Sequence, residues 1–103
     1  MSILKKIFGI KRTDYNQLIN DGAIVIDVRT SEEFNSGHIN GATNIPLGKI
    51  KSKIKKIESL KKPVIFYCAS GMRSGQANSI AKSKGIVAYN GGGWSSLNRK
   101  LNN

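Results

Sequence analysis

Cys68 is the only cysteine of the chain, and it ends an apolar run that a loop of small residues follows. The residues of this loop and of the helical pattern after it are Ala69, Ser70, Gly71, Met72, Arg73 and Ser74. Successive backbone amides in such a loop can point inward and bind an anion, assisted by the positive end of the following helix. A thiol at the edge of this cradle should have a lowered pKa, because the amides stabilise the thiolate. The spacing therefore predicts that Cys68 is a nucleophile beside a preformed anion site.

A cysteine after an apolar strand can also be a small core residue. Three neighbouring features favour the nucleophile instead. Gly71 permits a backbone conformation that a side chain would penalise, Arg73 supplies a positive charge, and a helix start is predicted near Ser74. The loop lacks a general base, and a thiolate does not need one.

Two charged residues, Asp27 and Arg29, leave a second apolar strand on the same side of the predicted sheet as the cysteine loop. They could line the mouth of the site. We favour the alternative that they form ion pairs or hydrogen bonds that fix local loops, with Glu33 as a plausible partner for Arg29.

Short β-branched runs alternate with helical patterns along the chain. Strands are predicted at residues 23–29, 42–47, 63–68 and 85–89. Runs that are apolar on both faces suit a parallel sheet with helices on both sides, and the alternation predicts a three-layer α/β fold. In such sheets a site forms where the chain leaves the carboxyl end of a strand and enters a helix, which is where Cys68 lies.

The helical patterns cover residues 13–20, 48–60 and 74–84, and Thr30 with Glu33 forms a capping box. Within residues 48–60 the apolar residues recur at helical spacing, and the lysines lie mostly on the other positions. The glycines at 91–93 should form a tight turn, and Trp94 should anchor the last helix in the core.

The composition indicates one globular domain. With 103 residues the chain can form a single core, which we place at residues 13–103 after a short basic and apolar leader at residues 1–12. One cysteine excludes an internal disulfide framework, and with one histidine it disfavours a zinc site, so we expect no metal and no cofactor. No apolar run is long enough for a membrane span. We expect a monomer in the reducing cytoplasm.

Basic residues dominate the charge, with 17 Lys and Arg against six Asp and Glu and a net charge of +11. This balance favours anionic partners. We interpret the seven lysines between residues 49 and 62 as a solvated helix face, with steering of an anionic substrate as an alternative. Nucleic acid is disfavoured because aromatic residues make up only 7% of the chain and nothing resembles a stacking platform or recognition helix.

Five motifs follow one another between residues 13 and 94. They are Ile26-Asp-Val-Arg29, Glu33-Phe-Asn-Ser-Gly-His-Ile-Asn-Gly-Ala42, Asn44-Ile-Pro46, Cys68-Ala-Ser-Gly-Met-Arg73-Ser74 and Gly91-Gly-Gly-Trp94. Any one of them is a weak signal. Together, in this order and spacing, they resemble the single-domain rhodaneses, or thiosulfate sulfurtransferases.

The resemblance implies a five-stranded parallel sheet with helices on both faces. It also implies that Cys68 takes a sulfane sulfur from a small anionic donor such as thiosulfate, forming a persulfide. The persulfide then passes its sulfur to cyanide, a thiol or a protein cysteine. The amides of residues 69–73 would hold the outer sulfur, Arg73 would attract the donor, and His38 would belong to a structural turn.

Two alternatives share this framework. Phosphatases of related fold have five residues between the cysteine and the arginine, whereas the four here make a tighter ring that suits one sulfur atom better than a phosphate. The other alternative is a persulfide carrier that delivers sulfur to a partner protein, with little turnover on small acceptors. Met72 departs from the family pattern, and its apolar thioether could favour a less polar donor or acceptor.

Overall fold

The computed structural model describes residues 12–102. The leader expected at residues 1–12 lies outside the described residues, except for Arg12. The elements are, in chain order, α1 (Tyr15–Asn20), β1 (Ile24–Asp27), α2 (Ser31–Ser36), β2 (Thr43–Asn44), α3 (Leu47–Ser59), β3 (Val64–Cys68), α4 (Met72–Ser83), β4 (Ala88–Gly93) and α5 (Trp94–Leu101). Among these helices none is both long and apolar enough to cross a membrane.

The strands form one parallel sheet in the order β2-β1-β3-β4. Because they are parallel, their carboxyl ends lie at one edge, which brings the end of β3 at Cys68 beside the end of β4 at Gly93. The sheet has four strands within residues 12–102, where the resemblance implied five. Each of the four runs identified by hydrophobic pattern has a counterpart, and the fifth strand rested on the resemblance alone.

The strand β3 separates the two layers of helices, because successive side chains point to opposite faces. Phe66 and Cys68 lie in a core cluster with the apolar residues of α3 and α4. Ile65 and Tyr67 lie in a second cluster with Leu97 of α5 and the apolar residues of α1. The sheet therefore has helices on both faces, which confirms the predicted three-layer α/β fold.

The helix α3 confirms the predicted separation of apolar and basic residues. It buries Ile50, Ile54 and Ile57, while its lysines are exposed. Full burial of such a side chain stabilises the fold by about 1.5–3 kcal/mol. The helix starts just after β2 and ends just before β3, so it runs antiparallel to the strands and its first turn lies at the carboxyl edge of the sheet.

The last strand differs most from the prediction. It covers Ala88–Gly93 instead of residues 85–89, so the glycines expected in a tight turn belong to β4. Gly91 is an extra residue between the paired positions of Asn90 and Gly92, which makes a bulge opposite β3. A Cβ at Gly91 would lie 3.0 Å from side-chain atoms of Ile65 in β3 and Leu97 in α5, and 3.0 Å from the Phe66 carbonyl oxygen. The glycines therefore let β4 lie close against β3 and α5.

Candidate active site

The predicted nucleophile, Cys68, is the last residue of β3, and its side chain is buried. The loop after it is short, because α4 begins at Met72, two residues earlier than predicted. Gly71 precedes the helix with φ +101°, a left-handed conformation that favours glycine. This turn folds the loop back over the sulfur.

Hydrogen-bond donors of the loop and of α4 converge on the Cys68 sulfur. The Gly71 amide donates at 3.0 Å from Sγ, the Ser74 amide donates at 3.4 Å, and the Ser74 hydroxyl lies at 3.4 Å. Burial raises the pKa of the Cys68 thiol, but the hydrogen bonds from Ser74, Ser70 and Gly71 outweigh burial. The pKa of this thiol therefore lies below its ordinary value, as the loop pattern predicts.

The loop residues differ in their exposure. Ala69 and Ser70 are exposed, Ser74 is fully buried, and Met72 exposes 76% of its surface. An apolar side chain this open at the rim of the cysteine loop can contact a molecule that approaches Cys68. The predicted substrate-binding loop thus has a polar interior and one large apolar side chain, Met72, exposed on its outer rim.

A side chain of β4 that the sequence analysis missed holds the loop in place. The Asn90 amide group donates from Nδ2 to the Gly71 carbonyl at 3.1 Å, and its Oδ1 accepts from the Gly92 amide at 3.0 Å. The Ser74 hydroxyl donates to the same Oδ1 at 2.6 Å. Asn90 therefore connects the two neighbouring strand ends and orients the hydroxyl beside Cys68.

The charged residue of the loop, Arg73, forms an ion pair with Glu33 of α2. Its Nη1 lies 2.8 Å from Oε1 and its Nη2 lies 3.1 Å from Oε2, so both carboxylate oxygens are engaged. The Arg73 guanidinium and the amide of Thr30 lower the pKa of Glu33 to about 2. Glu33 was expected to pair with Arg29, and this expectation is wrong, since Asp27 holds Arg29.

The predicted site-lining residues, Asp27 and Arg29, form a buried ion pair. Asp27 is 0% exposed and Arg29 is 4% exposed, and their side chains meet at 2.7 Å. Arg29 also donates to the Gly37 carbonyl and lies over the Trp94 ring, 4.8 Å from its centre. These contacts match the structural alternative and place neither side chain at the mouth of the site.

His38 also makes structural contacts. Its Nδ1 lies 2.8 Å from the Phe34 carbonyl oxygen, and its ring stacks on the Phe34 ring with centres 3.7 Å apart. Among the described residues, no group of three or more His, Cys, Asp or Glu side chains is placed to hold a metal ion.

A sequence model of the rhodanese-like domain family matches residues 11–100 of this chain. The chain belongs to that family. Its curated relatives include YqhL of Bacillus subtilis, 43% identical over 65 residues that cover 63% of this chain and 51% of YqhL. They also include the thiosulfate sulfurtransferase PspE of Escherichia coli, 39% identical over 70 residues that cover 66% of this chain and 67% of PspE. The match thus spans about half the length of YqhL.

Solved rhodanese structures have the same fold as this rhodanese-like domain. A rhodanese with anions from E. coli is 35% identical, with a TM-score of 0.67 over 73% of this chain and 91% of that one. The human single-domain sulfurtransferase TSTD1 is 28% identical, with a TM-score of 0.67 over 84% of this chain and 90% of that one. The similar proteins thus include named sulfurtransferases, which supports sulfur transfer as the general chemistry of this group.

The site of this rhodanese-like domain combines a buried thiol of lowered pKa with backbone donors that face it. Such a site can stabilise negative charge on the Cys68 sulfur. Two residues beyond the motif loop complete the arrangement, Glu33 through Arg73 and Asn90 through Ser74.

Proposed function

We propose that this protein is a sulfurtransferase that works through a persulfide on Cys68. The donor is a small anion that carries a sulfane sulfur, such as thiosulfate. The acceptor is a thiophilic species, namely cyanide, a thiol or a protein cysteine. The observation that carries the proposal is the convergence of the Gly71 amide, the Ser74 amide and the Ser74 hydroxyl on Cys68 Sγ.

The proposed reaction has two balanced steps. In the first, the Cys68 thiolate attacks the outer sulfur of thiosulfate, a sulfur–sulfur bond forms, and the bond to the sulfonate breaks. Sulfite leaves with the electron pair of that bond, and the negative charge of the enzyme now lies on the outer sulfur of the persulfide. In the second step the acceptor attacks this outer sulfur, and the Cys68 thiolate leaves with its electron pair. With cyanide the product is thiocyanate.

The loop would stabilise the negative charge first on the Cys68 sulfur and then on the outer sulfur of the persulfide. The Gly71 and Ser74 amides face the inner sulfur when it is the nucleophile and again when it is the leaving group. Four residues separate Cys68 from Arg73, and we expect a loop of this length to hold one further sulfur atom at the helix start. The name of the relative PspE, a thiosulfate sulfurtransferase, supports the choice of donor.

The second candidate function, a persulfide carrier for a partner protein, is favoured by the exposure of Met72. At 76% exposed it offers an apolar contact at the rim of the loop that cyanide or a small thiol would not need. A carrier would form the persulfide and transfer it slowly to small acceptors. In both cases a reducing compartment would protect the thiol from oxidation, so we propose the cytoplasm as the location. We also propose a monomer as the working unit.

The experiment is intact-protein mass spectrometry of the reduced protein after incubation with thiosulfate and again after addition of cyanide. We expect a gain of one sulfur, roughly 32 Da, that cyanide removes. The Cys68→Ser variant should keep its fold and gain no mass. Sulfur addition that survives in Cys68→Ser would contradict the proposal. Addition from polysulfide but not from thiosulfate would favour the carrier.

A further inference from the structure

The ion pair between Arg73 and Glu33 changes the charge that an anionic donor meets at the cysteine loop. Arg73 is the charged residue of the segment from Cys68 to Ser74. Both of its terminal nitrogens are engaged by both oxygens of the Glu33 carboxylate. Each side chain of the pair is about one third exposed, at 35% and 34%. The pair therefore lies at the surface, where it adds nearly no net charge to the approach to Cys68.

The carboxylate of Glu33 is held in this place by its own helix. Oε1 accepts hydrogen bonds from the amide and the hydroxyl of Thr30, at 3.0 and 3.1 Å, while the Thr30 hydroxyl accepts from the Glu33 amide. This capping box fixes the side chain at the start of α2 and aims its other oxygen at Arg73. A glutamine would complete the capping box as well as a glutamate does. The negative charge at position 33 is thus needed by Arg73 and not by the cap.

An anion near Cys68 experiences opposite forces from these two side chains. Arg73 attracts it, and Glu33 repels it from the adjacent position. Neutral hydrogen-bond donors remain, namely the loop amides and the start of α4, and their interaction with an anion depends less steeply on its charge than that of a full positive charge. The net effect of Glu33 should therefore increase with the charge of the donor.

We propose that Glu33 is a specificity-determining residue that reduces the preference of the site for doubly charged donors. Thiosulfate carries two negative charges, and an organic thiosulfonate carries one. Both give the same Cys68 persulfide, because the thiolate attacks the outer sulfur and the leaving group takes the electron pair as sulfite or as a sulfinate. The inference rests on the proposed function, because it takes Cys68 as the sulfur acceptor.

The first test uses two alkylating reagents and no sulfur donor. Iodoacetate is an anion and iodoacetamide is neutral, and both react with the Cys68 thiolate. The ratio of their rates cancels any change in the thiolate fraction. We expect Glu33→Gln to raise the ratio of the iodoacetate to the iodoacetamide rate about threefold, as expected for one surface charge within a Debye length. The substituted glutamine keeps the shape of the side chain and the cap.

The matched control is Glu32→Gln. Glu32 is the neighbour of Glu33 on α2, it is exposed, and no ion pair of the described residues involves it. Both variants raise the net charge by one, so a general effect of charge would move both ratios equally. A ratio in Glu33→Gln that equals that of Glu32→Gln overturns the inference.

The second test compares donors. We expect Glu33→Gln to lower the KM for thiosulfate by about tenfold and the KM for a thiosulfonate by about threefold, with kcat unchanged, because Coulomb attraction scales with donor charge. Equal changes for the two donors overturn the inference. If no donor adds sulfur to Cys68, the proposed function fails, and the alkylation ratio still decides the role of Glu33.

Discussion

The ionisation of Cys68 depends on the Ser74 hydroxyl, which also has a second hydrogen-bond partner. The Ser74 hydroxyl lies 3.4 Å from Sγ and donates to Asn90 Oδ1 at 2.6 Å. A hydroxyl has one proton, so it can donate to only one of them at a time. When Cys68 ionises, a donation to the thiolate becomes the stronger choice, because a hydrogen bond to a charged group is worth more than a neutral one.

Removal of that hydroxyl should therefore make the thiolate harder to form. We expect Ser74→Ala to raise the pKa of Cys68 by about one pH unit, since a hydrogen bond to a charged group is worth about 1.5–3 kcal/mol. Alkylation by iodoacetamide at neutral pH should slow by up to about tenfold, and the rate at high pH should be unchanged. The measurement is the alkylation rate against pH. Ser52→Ala, on the exposed face of α3, is the control, and an equal profile for both variants would remove the role of Ser74.

The residues of the site divide into those the sequence predicts and those it does not. Cys68 and its loop were predictable, because the donors to the sulfur come from the next six residues of the chain. Asn90 and the pair of Glu33 with Arg73 were missed, because these contacts join side chains 16 and 40 residues apart. Proximity along the chain suggested Arg29 as the partner of Glu33, but the closer carboxylate of Asp27 occupies it.

At the scale of elements, the prediction was most accurate where a local signal exists. The capping box of α2 and the apolar face of α3 both follow from spacing within one or two turns, and both are observed. The position of β4 does not follow from its own residues, since glycine carries no strand preference. Its glycines are required by neighbours that the chain brings together only in the folded sheet.

The packing of β4 against the cysteine loop leads to a prediction for Gly93. A Cβ at this position would lie 2.6 Å from the Ala69 carbonyl oxygen, so the backbone of the loop would have to move. We expect Gly93→Ala to reduce stability by about 1–3 kcal/mol and to raise the pKa of Cys68, because the loop amides shift from the sulfur. Urea unfolding and the alkylation profile measure the two effects.

The control for this substitution is Gly48→Ala in α3. A Cβ at Gly48 meets no atom within 4 Å, and the residue is helical. This variant should be as stable as the parent or more stable, by up to about 1 kcal/mol, with the same Cys68 profile. If the pH profile of Cys68 alkylation in Gly93→Ala equals that of the parent, the loop tolerates the displacement.

The ion pair between Glu33 of α2 and Arg73 of α4 should also stabilise the folded protein to an extent that depends on pH. The pKa of Glu33 is about 2 in the folded protein, below its ordinary value of about 4.3 in an unfolded chain. The contribution is therefore present above about pH 4.5 and is lost as the pH falls toward 2. Because the pair is about one third exposed, we expect at most about 1 kcal/mol.

The measurement is urea unfolding at pH 5 and at pH 3. The parent protein should lose more free energy of unfolding between these two pH values than Glu33→Gln loses. Glu32→Gln should behave as the parent, since Glu32 has no ion pair among the described residues. Identical losses in all three proteins would mean that the pair contributes no stability.

For the whole molecule, the charge is large and unevenly placed. The net charge is +11, and α3 carries exposed lysines along its length. Because α3 starts at the carboxyl edge of the sheet, Lys49 of its first turn lies at the same edge as Cys68. Lys62 comes just before β3 and lies at the opposite edge. Because Glu33 offsets the charge of Arg73, the long-range attraction of anions to the Cys68 edge must come from other basic residues, such as Lys49.

This arrangement predicts that the alkylation of Cys68 by an anion depends on salt, and that a lysine near Cys68 contributes more to this dependence than a distant one. Between about 0.01 M and 1 M salt the Debye length falls from about 30 Å to about 3 Å. The ratio of the iodoacetate to the iodoacetamide rate at Cys68 should fall severalfold over this range, and this ratio cancels any effect of salt on the thiolate fraction. Lys49→Gln should weaken the salt dependence, and Lys62→Gln, with the same change in net charge, should weaken it less. Equal effects of the two variants would mean that only total charge matters, and a rate ratio that does not change with salt would contradict electrostatic steering.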